Sequence, residues 1–174
     1  MYKVYPKIIL ACLLLVMTGT FYSQRVTQTI NDGWKFSLFE GDASTADFDI
    51  SGWTDVSIPH TWNAKDADDE IPGYFRGKGW YRKVVAVEEL IPEQRVYLSF
   101  EGANQETNVF VNGTFVGNHK GGYSAFTFDV TDYVHAGRNL IAVSVDNSHN
   151  PDIAPLSADF TFFGGIYRDV YLVY

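Results

Sequence analysis

From Ile30 onward, apolar residues recur at every second position and turn residues interrupt them at short intervals. Trp34, Phe36 and Leu38 alternate with Lys35 and Ser37. Trp53, Val56 and Ile58 lead into Pro59, Trp80 to Val87 is a longer run, and Val96, Leu98 and Phe100 alternate within Arg95 to Phe100. Successive side chains of a strand point to opposite faces, so a period of two predicts strands with one buried face. Asn112-Gly113 stands between two apolar runs, and Asn-Gly readily takes the positive φ angles of a type I′ turn, which predicts a two-residue hairpin. Further strands are predicted at 125–130, 140–147 and 166–174, with a turn at Ala136-Gly137-Arg138-Asn139. The one helical expectation is a short turn from Ala43 to Asp49 with Ser44 as its cap. Short strands spaced about 8 to 12 residues apart predict a sandwich or barrel. No internal repeat or low-complexity linker is present. The longest irregular stretch runs from Pro59 to Lys78, too long for a simple hairpin, and is therefore a candidate functional loop.

The beginning of the chain reads differently. Lys3 and Lys7 flank a short basic start, Ile8 to Val16 is apolar, and Thr18 to Gln24 is small or polar. That is the pattern of a signal peptide cleaved near Ser23-Gln24, giving a leader at 1–24 and one domain at 25–174, exported to the periplasm or the medium. The apolar core is shorter than the roughly 20 residues of a comfortable membrane span; an uncleaved anchor is the alternative. The single cysteine, Cys12, lies in this leader. Lipoprotein-type processing there would leave an apolar tail from Leu13 to Val16, which weighs against a lipid-anchored form. The remaining chain has no cysteine for a disulfide.

Composition narrows the picture further. Thirteen Phe, 11 Tyr and 4 Trp beside 15 Gly favour strands and tight turns. A formal charge of -8 argues against nucleic acid and anionic membrane surfaces as partners, because both need a basic face. Neutral ligands such as sugars fit better.

Seven phrases, in order, then carry a resemblance. They are Asn31-Asp32-Gly33-Trp34-Lys35-Phe36, Ile58-Pro59-His60-Thr61-Trp62-Asn63, Gly79-Trp80-Tyr81-Arg82-Lys83 and Val109-Phe110-Val111-Asn112-Gly113. Next come Gly121-Gly122-Tyr123-Ser124-Ala125-Phe126, Phe128-Asp129-Val130-Thr131 and Phe163-Gly164-Gly165-Ile166-Tyr167-Arg168-Asp169-Val170. From about Ile30 to Tyr174 the chain resembles the N-terminal sugar-binding domain of glycoside hydrolase family 2, the β-galactosidases, β-glucuronidases and β-mannosidases. The resemblance implies an all-β jelly-roll sandwich of the galactose-binding-domain type. It also implies that an immunoglobulin-like domain and a TIM barrel follow, the barrel carrying the two glutamates of retaining glycosidase chemistry. Neither later domain is in this sequence, and the apolar ending Asp169 to Tyr174 reads as a truncated piece. On this reading the chain alone is inactive and serves β-galactoside hydrolysis only when joined to its barrel. The alternative is a free-standing lectin-like module that binds glycans without chemistry.

The resemblance also singles out Asp159, a few residues before Gly165-Ile166-Tyr167-Arg168, as the residue that reaches the substrate. A carboxylate accepts two sugar hydroxyls and is a hard oxygen ligand, so Asp159 is implied both as a sugar contact and as a ligand to a sodium ion of the whole enzyme. No cofactor is expected in this chain by itself. Tyr74, Phe75 and Arg76 are candidates for stacking on a sugar face, the other reading being a cap on the core. Arg82, Arg168 and Asp169 read as structural salt bridges or interdomain contacts. Asp66, Asp68, Asp69 and Glu70 lack the glycine and distal glutamate of an EF-hand and read as a solvated loop. Gly121-Gly122-Tyr123-Ser124 lacks the second glycine of a nucleophile elbow. His60, His119, His135 and His149 have no metal-ligand spacing. Asn112-Gly113-Thr114 is formally a glycosylation sequon that the hairpin already explains.

Overall fold

The computed structural model describes residues 25–66, 73–157 and 159–174. The expected leader with Cys12, and the acidic residues Asp68, Asp69 and Glu70, lie outside them. In chain order the strands are β1 (Thr27–Thr29), β2 (Trp34–Leu38), β3 (Thr54–Val56), β4 (Lys78–Val87), β5 (Tyr97–Phe100), β6 (Glu106–Val111), β7 (Thr114–Lys120), β8 (Phe126–Asp129), β9 (Gly137–Asp146) and β10 (Val170–Val173). They form two antiparallel sheets, one ordered β1-β10-β5-β8 and one ordered β3-β2-β4-β9-β6-β7. This is the all-β sandwich that the period of two predicts. The inward residues of both sheets meet in one core: Trp34 and Phe36 of β2, Tyr81 and Val85 of β4, and Val109, Val143 and Val145 face Leu98, Phe100, Val170 and Leu172.

The Asn112-Gly113 hairpin is formed as expected, with φ of 51° and 81°. Asn112 is also a tie between strands. Its amide nitrogen donates to the Tyr133 carbonyl and to Asn139 Oδ1, both at 2.9 Å, while its Oδ1 accepts the Leu140 N–H. A glycan on that nitrogen would replace one of its two hydrogens and so remove one of the donated bonds, which fits the sequon's reading as part of the hairpin.

Two expectations change. Ala43 to Asp49 is a set of turns with no helix, and Ser44 caps nothing: its own N–H donates to Asp42 Oδ1 at 2.8 Å. The segment instead folds over the outer face of the six-stranded sheet. There Ala43, Phe48 and Trp53 pack on Trp80, Ala142 and Phe110 in a second, smaller core. That cover explains Arg82, which is 3% exposed and makes no salt bridge among the described residues. Its Nη1 donates to the Ala43 carbonyl at 3.0 Å and its guanidinium lies 5.8 Å from the Phe48 ring centroid. Arg168 and Asp169 are not in an ion pair among the described residues either. Arg168 is exposed beside the Tyr167 ring, and Asp169 accepts from Asn31 Nδ2 and the Tyr171 hydroxyl.

Candidate functional site

Antiparallel register places Lys78, Asp146, Glu106 and Lys120 side by side at one end of the six-stranded sheet. The loops beyond that end contain residues 57–66, 73–77, 101–105, 121–125, 147–157 and 159–169. A 3-10 turn, Trp62–Lys65, is started by Thr61, whose hydroxyl accepts the Asn63 N–H. This turn carries Asn63 inward. At the end of β9 the chain carries Asn147 inward to meet it.

These two carboxamides, 3% and 0% exposed, knit the loops together. Asn63 donates to Asp66 Oδ2 at 2.6 Å and to the Phe75 carbonyl at 2.7 Å, and accepts the Gly164 N–H at 2.6 Å. Asn147 accepts the Gly77 N–H at 2.8 Å, donates to the Phe162 carbonyl at 2.8 Å, and donates to Asn63 Oδ1 at 3.3 Å. Buried polar groups carry a large cost when unpaired, so this network fixes both loops at once. Asp66 is part of it and departs from the solvated-loop reading: its Oδ2 also accepts the Phe75 N–H at 2.8 Å.

Tyr74 and Arg76, picked out in the sequence, are held by this network. Arg76 Nε donates to the Asn147 carbonyl at 2.7 Å, and its guanidinium carbon lies 5.0 Å from the Phe162 ring centroid and 5.8 Å from that of Tyr74. Asp159 lies in the loop that returns to Phe162. It is exposed and has no hydrogen-bond partner among the described residues. The next residue, Phe160, is 50% exposed, as is Tyr123, and the Phe160 ring lies edge-on to that of Tyr123 and 5.3 Å from that of Phe162. Thus Tyr74, Arg76 and Asp159 share one end of the sandwich with a group of exposed aromatic rings.

Beneath the loops, Gly165 lets the chain pass against His60 and Tyr81. The Tyr81 hydroxyl lies 2.8 Å from His60 Nδ1, and burial pushes the Tyr81 phenol well above its ordinary range. Burial also lowers the His60 pKa below the usual imidazole value. The neutral ring therefore accepts the tyrosine proton in its hydrogen bond. An unfolded histidine titrates near about 6.5, so as pH falls from about 7 the unfolded chain binds a proton before the folded one does. Stability is expected to fall across that window and to level off below the folded pKa. His119, also lowered by burial, adds in the same direction. Urea midpoints between about pH 7.5 and 5.5 test this: His60→Gln should flatten the slope, and an unchanged slope would remove His60 as its source.

The other chemistries find no support here. Ser124 Oγ is 3.4 Å from His119 Nε2, but no carboxylate is hydrogen-bonded to that histidine among the described residues. Nor do the described residues contain a group of three or more His, Cys, Asp or Glu side chains placed to hold a metal ion.

Comparison with known proteins agrees with this architecture. Residues 27–174 match the model of glycosyl hydrolases family 2, sugar binding domain. A putative β-glucuronidase of Formosa agariphila is 37% identical over 97% of this chain, and a β-galactosidase of Thermoanaerobacter pseudethanolicus is 40% identical over 84%. A crystal structure of a Bacteroides uniformis β-glucuronidase superposes with a TM-score of 0.79 at 47% identity, covering 86% of this chain and 18% of that one. The match covers 21% of the Formosa protein and 19% of the Thermoanaerobacter protein, so the chain spans about a fifth of the curated relatives it matches. The chain belongs to glycoside hydrolase family 2, as its N-terminal sugar-binding domain. Its relatives are β-glucuronidases and β-galactosidases, and it corresponds to one domain of those larger enzymes.

Proposed function

We propose that this chain is the leading part of an exported, retaining β-glycosidase, and that its loop end closes one side of the sugar pocket formed with a following catalytic barrel. The observation that carries this is the gathering of Tyr74, Arg76 and Asp159 at one end of the sandwich on a hydrogen-bonded frame, among exposed aromatic rings. Rings offer flat apolar faces to a pyranose, and the unpartnered Asp159 carboxylate accepts paired hydroxyls of the β-galactoside-like terminal sugar. Its carboxylate is also a hard oxygen ligand suited to a sodium ion shared with the barrel. The two glutamates of the retaining reaction belong to that barrel.

In an enzyme carrying this domain ahead of its barrel, Asp159→Asn is expected to lower kcat/KM for nitrophenyl β-glycosides by about a hundredfold or more. That corresponds to losing charge-assisted bonds to two hydroxyls. Unchanged kinetics would remove Asp159 from the site. The 174-residue chain itself is expected to hydrolyse none of these substrates.

A further inference from the structure

The sandwich has a second opening, at the end away from the loops. Strand β4 runs ten residues from Lys78 at the loop end to Val87, so the two ends lie about 30 Å apart. There β1, the end of β10 and the stretch after β4 enclose a cleft of about 410 Å³. That lies within the roughly 300–1,000 Å³ of small-molecule sites. Its walls are held in place. Val26 and Tyr174 exchange backbone hydrogen bonds at 3.0 and 2.8 Å, and Leu90 and Tyr174 pack on the main core. The Gln94 N–H donates to the Ile91 carbonyl at 3.0 Å, while Gln94 Oε1 accepts the Ile91 N–H at 3.1 Å. Val26, Ala86, Leu90 and Tyr174 give the cleft its apolar surface; Gln28, Gln94, Glu88 and Glu89 give it polar groups. Among the described residues, Gln94 Nε2, the Tyr174 hydroxyl and the side chains of Gln28, Glu88 and Glu89 make no hydrogen bond or ion pair. Burial and the neighbouring Glu88 carboxylate both raise the Tyr174 pKa, so its phenol keeps a proton to donate. No Lys, Arg or His side chain lines the cleft among the described residues.

We propose that this cleft is a second carbohydrate site, which holds a neutral sugar unit of a glycan chain and leaves the loop end free. It does not depend on the reading of the loop end. A pyranose pairs an apolar C–H face with a rim of hydroxyls, and the lining offers both kinds of surface: the Tyr174 ring and aliphatic groups for the face, carboxylates and amides for the rim. A carboxylate accepts two hydroxyl donors, and bonds to a charged acceptor are about twice as strong as those between neutral groups. An acidic sugar would meet Glu88 and Glu89 with no cation to offset the repulsion, so the site selects against it. Binding one glycan at a point about 30 Å from Asp159 would raise the effective concentration of its other units at the loop end.

The test is titration of the chain with lactose, with cellobiose and with the anionic methyl β-D-glucuronide, followed by amide NMR shifts. At least one neutral disaccharide is expected to shift the amides of Gln28, Ala86, Glu88, Leu90 and Tyr174, with a Kd of about 1 mM that sodium chloride does not change. The glucuronide should bind there at least about fivefold more weakly at low salt. Glu88→Ala, at an exposed position, should weaken the neutral sugar about tenfold, and Tyr174→Ala by more. Well-dispersed amide spectra establish that each variant is folded; if Tyr174→Ala is not, Glu88→Ala decides. Shifts confined to the loop end around Tyr74 and Asp159, or an affinity that survives these substitutions, overturn the cleft as a site and leave the loop-end reading standing. So does the absence of shifts at the cleft with both neutral disaccharides. Equal or tighter binding of the glucuronide at the cleft overturns its selection for neutral sugars.

Discussion

Gly165→Ala is expected to destabilise the domain by about 3 kcal/mol or more in urea denaturation, a large share of the roughly 5–15 kcal/mol that holds a small domain folded. Two effects act at this position. Its φ is +124°, a conformation L side chains rarely adopt. A Cβ there would also sit 2.5 Å from the His60 carbonyl oxygen and 2.7 Å from the Tyr81 hydroxyl. Neither side can yield cheaply, because the His60 N–H is bonded to the Ile166 carbonyl and Gly165 exchanges hydrogen bonds with Asn104 on its other side. Gly137→Ala separates the two effects: φ there is +95°, but nothing lies within 4 Å of the added carbon. It should cost only the backbone strain, about 1 kcal/mol. If Gly165→Ala costs no more than Gly137→Ala, the close packing of this crossing is wrong.

The difference between those two glycines also marks what the sequence makes legible. Period-two alternation finds β2, β5 and β6 because their inward residues face a core that needs no other information. It misreads β4, where Trp80 and Arg82 lie on the outer face and are nonetheless buried, since their cover comes from a segment some forty residues earlier. It misses β1, whose three residues are all exposed and whose strand character comes only from pairing with β10. At the loop end, Tyr74 and Arg76 were legible through the long irregular stretch, and Asp159 through the family resemblance. In the sequence Asn63 is only the last residue of a family-like phrase and Asn147 only the end of an apolar strand. An asparagine announces nothing locally when its partners are Gly77 and Gly164, contacts of 70 and 101 residues in sequence separation.

Those two asparagines support the second large effect. Asn147→Ala is expected to cost about 3 kcal/mol, since it strands the Gly77 N–H and the Phe162 carbonyl inside a buried loop junction and leaves a small cavity. Asn147→Asp offers a sharper probe. It keeps an acceptor for Gly77 but points a charge at the Phe162 carbonyl, so its loss should be largest at neutral pH and shrink on acidification, when a protonated carboxyl can donate again. Asn63→Ala should cost a similar amount for the same reason. The double variant should lose clearly less than the sum, because once either amide is gone the loops it shared with the other are no longer held in one place. Strictly additive losses would mean that the two amides act separately. The frame that presents Arg76 and Asp159 would then be two local ties rather than one unit, and a sugar bound across both loops would find its contacts moving independently.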